Sequence, residues 1–200
     1  MSGDPPTLYA AGGGFKKNMV VFKSTDGGLW WAPTPDRAPE LSVYGIIIDP
    51  EHPTTCYVRA HNGLRKSINE GKDWTPTGLS LHVNALVIAP HPASTLYAAT
   101  EEGLFTSTKG GQDWERGGLS QTYVRGLTID PHNAAILYAN HGGFFVKSVD
   151  GGKSWNRMGV SQQEIVYLVI DSHNPATLYG ATQKSGILKE HRRRCGVGSR

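Results

Sequence analysis

The side chains of this chain best suited to chemistry recur at a fixed spacing. Four octapeptides pair a hydroxyl with an acid or amide: Ser24 to Trp31 (STDGGLWW), Ser67 to Trp74 (SINEGKDW), Ser107 to Trp114 (STKGGQDW) and Ser148 to Trp155 (SVDGGKSW). Their terminal Trp residues lie 43, 40 and 41 residues apart. Ser beside Asp26 or Asp150 invites a calcium-binding or acid–base reading, and His52, His91, His132 and His173, one per repeat, invite zinc. The zinc reading fails on geometry, and the other on the sequence of the third copy. Repeat-equivalent residues are spread around a repeat array and cannot converge on one ion at about 2 Å. Lys109 stands where the other copies carry Asp26, Asn69 and Asp150, so this octapeptide acts as a structural staple. No metal and no cofactor is expected.

The elements that position these residues follow from the same period. Between and after the octapeptides come apolar runs (Ile46 to Pro50, Leu86 to Pro90, Leu127 to Pro131, Leu168 to Ser172), each leading through a Pro/His/Asn turn into a Tyr run around Tyr57, Tyr97, Tyr138 or Tyr179, with a fifth Tyr run around Tyr9 at the start. Each run holds four to seven residues rich in Val, Ile, Thr and aromatics, bounded by Gly, Pro, Asn or Asp, which is how β-strands are punctuated. Four short antiparallel strands per repeat, A to D, predict an all-β fold: a β-propeller of four-stranded blades, about 4.5 blades present. The chain opens at a strand B, runs through three whole units and stops after another A, B and C near Lys189. Residues 1–190 read as the propeller repeats and 191–200 as a basic, disordered tail. The last A strand is long enough to complete the first B-C-D unit as a fifth blade. The preferred expectation is a piece of a longer propeller, or two chains completing each other through open blade edges.

The formal charge of +3 misleads. Lys189, Arg192, Arg193, Arg194 and Arg200 against Glu190 contribute +4, leaving −1 for everything before them. The repeats therefore lack the basic stripe of a nucleic-acid footprint. Cys56 takes a position filled by Leu8, Leu96, Leu137 and Leu178 and reads as a buried apolar residue, Cys195 falls in the tail, and neither implies a disulfide. No run approaches the roughly 18 apolar residues of a membrane span, and no basic and apolar leader precedes the first strand. As written, the chain reads as unexported.

The octapeptide matches Ser-x-Asp-x-Gly-x-(Ser/Thr)-Trp, and residues 5 to about 189 resemble the bacterial neuraminidase repeat, or Asp-box, β-propellers. The resemblance implies structural roles for Ser24, Asp26, Gly28 and Trp31; Ser67, Asn69, Gly71 and Trp74; Ser107, Gly111 and Trp114; and Ser148, Asp150, Gly152 and Trp155. Ser and Asp oxygens would bond backbone N–H groups, Gly would supply the turn, and Trp would pack on the hairpin. It also implies that the Asp-boxes, as C-D turns, share a face with the A-B turns and lie remote from any binding mouth. Members of this superfamily are often exported.

The mouth is therefore expected among the B-C turns and D-A connectors, where loop sequences vary. At the entry to the inner strands one position reads Tyr44, Asn84, Arg125 and Val166. Tyr44, Asn84 and Arg125 are the candidate ligand-reading residues, with His61, Glu102, Arg116, His141 and Arg157 around them. The alternative for all of them is solvated loop and channel lining. Two functions follow. The first is a non-catalytic scaffold for protein or peptide, or a glycan, as in the photosystem II assembly-factor-like and sortilin-like propellers the repeat resembles. The second is a fragment of a glycoside hydrolase, sialidase-like or of the xyloglucan-cleaving endoglucanase type. A sialidase needs three Arg residues, a Tyr nucleophile and an acid/base Asp, for which Arg125 and Tyr44 are lone candidates; the endoglucanase needs two carboxylates about 5 to 9.5 Å apart, and Glu101, Glu102, Glu164, Asp36 and Glu40 are the only acids assigned to the mouth, none in a recognisable frame.

Overall fold

The computed structural model describes residues 5–13, 19–34, 43–158, 165–175, 177–182, 184 and 186–191. Asp36, Glu40, Glu164, Cys195 and residues 192–200 lie outside them. The described residues form strands and turns without a helix, and so no helix long and apolar enough to cross a membrane.

Five antiparallel sheets follow one another in chain order. The first holds β1 (Leu8–Gly13), β2 (Met19–Ser24) and β3 (Ala32–Pro33). The second holds β4 (Val43–Ile48), β5 (Cys56–Ala60), β6 (Gly63–Ser67) and β7 (Thr75–Pro76). The third holds β8 (Val83–Ile88), β9 (Leu96–Thr100), β10 (Gly103–Ser107) and β11 (Glu115–Ser120). The fourth holds β12 (Val124–Asp130), β13 (Asn133–His141), β14 (Phe144–Ser148) and β15 (Asn156–Met158), and the fifth holds β16 (Ile165–Ile170), β17 (Thr177–Thr182) and β18 (Ile187–His191). These are propeller blades, whole in the middle and three-stranded at either end. Among the described residues β16 pairs with β17 while β1 pairs with β2, so the fifth-blade closure is not adopted.

The core lies between blades rather than within them. Tyr57 and Leu64 of the second blade pack on Leu86, Ile88, Leu96 and Phe105 of the third, and Tyr97 and Leu104 repeat the arrangement against Leu127, Leu137 and Val146 of the fourth. Each blade thus buries its apolar faces only against its neighbours, the condition for a repeat array to be stable. Cys56 is fully buried in the layer between the first and second blades, with Val21, Val43 and Trp74, and burial pushes its thiol up to about 11.

The octapeptides close the outer hairpins. In each copy the Ser hydroxyl oxygen accepts the N–H of the Gly four residues on: Gly28 at 2.9 Å, Gly71 at 2.9 Å, Gly111 at 2.9 Å and Gly152 at 2.8 Å. The residue after next adds a second acceptor in three copies, where Asp26 takes the Trp30 N–H, Asn69 the Asp73 N–H and Asp150 the Ser154 N–H. In the third copy the Lys109 ammonium turns outward to Asp113 at 2.7 Å, and the Ser107 hydroxyl holds the turn. Two of these turns, the second and the third, also join blades through three contacts. Lys23 reaches Glu70 at 2.7 Å, the Tyr57 hydroxyl donates to the Gly110 carbonyl at 3.2 Å, and Trp114 donates to Thr77 of the blade before it at 3.2 Å.

Candidate functional site

The direction of each turn follows from main-chain bonds. The octapeptide turn donates to the A-B turn of its own blade: Glu70 to Thr54 at 2.8 Å, Gly110 to Ser94 at 2.7 Å and Gly151 to Ala135 at 3.0 Å. The two turn types therefore meet at one end of each blade, and the B-C turns occupy the other. The A-B turn histidines stay one per blade: His91 meets Glu51 at 2.6 Å, and His132 meets the Ser172 carbonyl at 3.2 Å.

At the B-C end, every inner strand begins with a register shift. Val43 pairs with Ala60 and Gly45 with Arg59, leaving Tyr44 unmatched. Asn84 is skipped in the same way, Arg125 and Gly126 together face one residue, and Val166 is skipped in the fifth blade. A bulge frees one residue from the ladder and re-aims it. Each falls at the position expected to read a ligand.

Three of the four blades with inner strands are tied together around these bulges. The Arg59 guanidinium donates to the Tyr44 carbonyl at 3.2 Å, to the Val83 carbonyl at 3.3 Å and to the Asn84 carbonyl. Asn84 donates onward to the Val124 carbonyl at 3.0 Å and accepts from the Tyr123 hydroxyl at 3.3 Å. Arg125 lies over the Tyr123 ring, 5.5 Å from its centre. The Tyr44 hydroxyl meets His61 at 3.3 Å, and its ring meets the edge of His82 at 5.2 Å. Tyr44, His61, Asn84 and Arg125 thus form one continuous rim.

The remaining expected residues form separate pairs. Arg116 bonds Glu102 at 2.7 Å and covers the Phe105 ring, at the edge of an open recess that also includes Glu101 and Gln121. His141 meets the Thr122 hydroxyl, and Arg157 stacks on the Phe144 ring. Burial, then the Arg157 charge, pushes the His141 imidazole below its ordinary value.

Arg59, Tyr123 and His82 are site residues that the sequence reading passed over. Arg59 carried a signal: its equivalents on β9, β13 and β17 are Ala99, Asn140 and Ala181, so a cation stands in a column of small or neutral residues. Burial lowers its guanidinium from the usual arginine range, and its hydrogen bonds go to carbonyl oxygens rather than a carboxylate.

The acids are segregated by end. Among the described side chains, Glu101 and Glu102 are the acids on the B-C turns; the other acids sit at A-B turns or in and beside the octapeptides. Glu101 and Glu102 are sequence neighbours on one exposed turn, and Glu102 is already paired with Arg116. The mouth has no described carboxylates facing each other. Among the described residues no cluster of His, Cys, Asp and Glu could hold a metal ion.

No protein-family model matches this chain, and no curated protein does. Solved structures do match in fold. An ancestral GH74 enzyme superposes with a TM-score of 0.70 at 18% identity, covering 98% of this chain and 31% of that one. YCF48 from Cyanidioschyzon merolae gives 0.67 at 14% identity, covering 88% of this chain and 62% of that one. The extracellular domain of a one component system from B. thetaiotaomicron gives 0.67 at 14% identity, covering 89% and 26%. The chain spans less than two thirds of each, and at these identities the likeness is one of fold: the architecture is that of the β-propellers found in GH74 enzymes and in YCF48.

Proposed function

We propose that this chain forms part of a non-catalytic β-propeller whose mouth, opposite the octapeptide turns, binds an acidic extended segment of a protein or peptide. The observation that carries the reading is the charge balance of that end: Arg59, Arg116, Arg125 and Arg157 against Glu101 and Glu102. Such a surface attracts and orients carboxylates, while the exposed Tyr44 and Tyr123 rings supply contact area at low entropic cost. Arg125 and Asn84 would read the ligand directly, and Arg59 would hold the three bulges in place. In the same reading the octapeptides are Asp-boxes, supported by the Ser-to-Gly bond common to all four, and residues 1–190 are one propeller body with a basic tail over 191–200.

The test is fluorescence anisotropy with two labelled peptides of equal length, one Asp/Glu-rich and one Lys/Arg-rich, at low and high salt. Saturable binding of the acidic peptide is expected, weakened by salt and by Arg125→Gln. Equal binding of both peptides, or hydrolysis of an oligosaccharide panel by the purified protein, would overturn the proposal; the second result would favour the glycoside hydrolase alternative.

A further inference from the structure

We propose that the notch between the first two octapeptide turns is a second binding site, built for a neutral sugar ring stacked on Trp30. It lies on the face away from the mouth and is a cavity of about 200 Å³ bordered by Lys23, Asp26, Trp30, Thr34, Glu70 and Lys72.

Trp30 is not there for the fold. Its side chain is 74% exposed, and the other octapeptides place Asp73, Asp113 and Ser154 at this position. The turn needs only the Trp30 backbone N–H, which Asp26 accepts at 3.0 Å. The molecule supplies its own comparison one blade on, where the equivalent notch is lined by Lys66, Thr77 and Gln112 among others, with neither an aromatic ring nor a carboxylate. There the Thr77 hydroxyl donates to the Leu64 carbonyl at 3.1 Å. Its counterpart Thr34 is 4% exposed, and its hydroxyl has no hydrogen-bond partner among the described residues. A buried polar group left unpaired is costly, so the first notch lacks a bond that helps hold its sister.

The charges of the notch choose the ligand. Lys23 and Lys72 balance Asp26 and Glu70, and Lys23 is bonded to Glu70 at 2.7 Å. An anion would meet two carboxylates and a cation two ammonium groups. A wholly apolar ligand would desolvate the Lys23–Glu70 pair without replacing its water. A pyranose meets all these conditions: its C–H face lies on the indole, while its hydroxyls donate to the carboxylates and accept from the ammonium groups. The cavity has room for one such ring.

The test titrates the intact chain with maltotriose, cellotriose and chitotriose, read by tryptophan fluorescence and saturation-transfer NMR. Glucosamine and a sialylated trisaccharide serve as charged comparators. Saturable binding of at least one neutral oligosaccharide is expected, weakened roughly tenfold or more by Trp30→Asp through loss of the aromatic contact. That variant carries the residue two sister turns already use, so the turn is expected to form, and circular dichroism checks it. Arg125→Gln leaves the sugar binding unchanged, and Trp30→Asp leaves acidic-peptide binding unchanged, which separates this site from the mouth. No saturable binding by any neutral sugar, undiminished binding in Trp30→Asp, or preference for a charged comparator overturns the proposal.

Discussion

Arg59 donates to the main-chain carbonyl of Asn84 in the next blade, so a cation on an interior strand holds the bulge from which a candidate ligand-reading side chain projects. The Arg59 side chain passes over Gly45, where an added methyl group would stand 2.5 Å from a guanidinium nitrogen. The absence of a side chain at Gly45 and the presence of one at Arg59 are therefore two halves of one arrangement.

Arg59→Met keeps the aliphatic stem and removes the donors, leaving the Tyr44, Val83 and Asn84 carbonyls without this partner. The expected loss of stability is about 1–3 kcal/mol, read from the urea midpoint, with a parallel loss of acidic-peptide affinity. An unchanged midpoint would show that the guanidinium does not brace the rim.

The third octapeptide is the weak copy. Lys109→Asn installs the acceptor that Asn69 provides in the second and gives up an exposed ion pair with Asp113, a contact of little worth. A rise in Tm of about 2–4 °C is expected for a chain of this size. Ser107→Ala removes the acceptor of the Gly111 N–H and costs about 1–2 kcal/mol. Thermal melts followed by circular dichroism check both.

Acid should loosen the first and fourth turns before the third. Bonds from the Ser154 hydroxyl and N–H and from the Ser148 hydroxyl hold the Asp150 carboxyl well below its ordinary 3.8, and the Trp30 N–H and Ser24 hydroxyl lower Asp26. A carboxyl lowered in the folded state contributes stability that is complete above the unfolded value and is lost as pH falls through the folded one. Asp150→Asn is expected to keep the turn, as Asn69 does, while removing its share of the pH dependence. Amide exchange at Ser154 between pH 5 and pH 2, corrected for intrinsic rates, reads the difference at about that range.

His141 is expected to titrate below 6.5, with Arg157→Gln raising its pKa part of the way back and the remaining shift reflecting burial. The sign is that of a histidine held neutral: as pH falls below the unfolded value the unfolded chain takes up a proton that the folded one resists, and stability declines. An NMR titration of the imidazole and urea unfolding at pH about 7.5 and 5.5 measure the two effects.

The blade order and the strand pairing were legible in the sequence because every strand has sister copies that fix its ends. The bulges were not legible as such. Tyr44, Asn84 and Arg125 stood out by their variation at one repeat position, and the skipped pairing that re-aims them becomes visible only in the ladder. Arg59 lies on a strand rather than in a variable loop, and its role comes from a long side chain crossing between sheets, which repeat spacing does not reveal. Trp30 was overshadowed by Trp31, which occupies the repeating position and donates to Gly28 within its own turn.

The skipped residue at the head of each inner strand separates side-chain identity from strand pairing. Because Tyr44, Asn84 and Val166 have no partner across the ladder, and Arg125 shares one with Gly126, changes at these four positions leave every neighbouring pair in register. The ladder therefore leaves one unmatched position in each of the four blades with an inner strand, and a combinatorial library confined to positions 44, 84, 125 and 166 would search binding preferences while leaving the cross-strand pairing undisturbed.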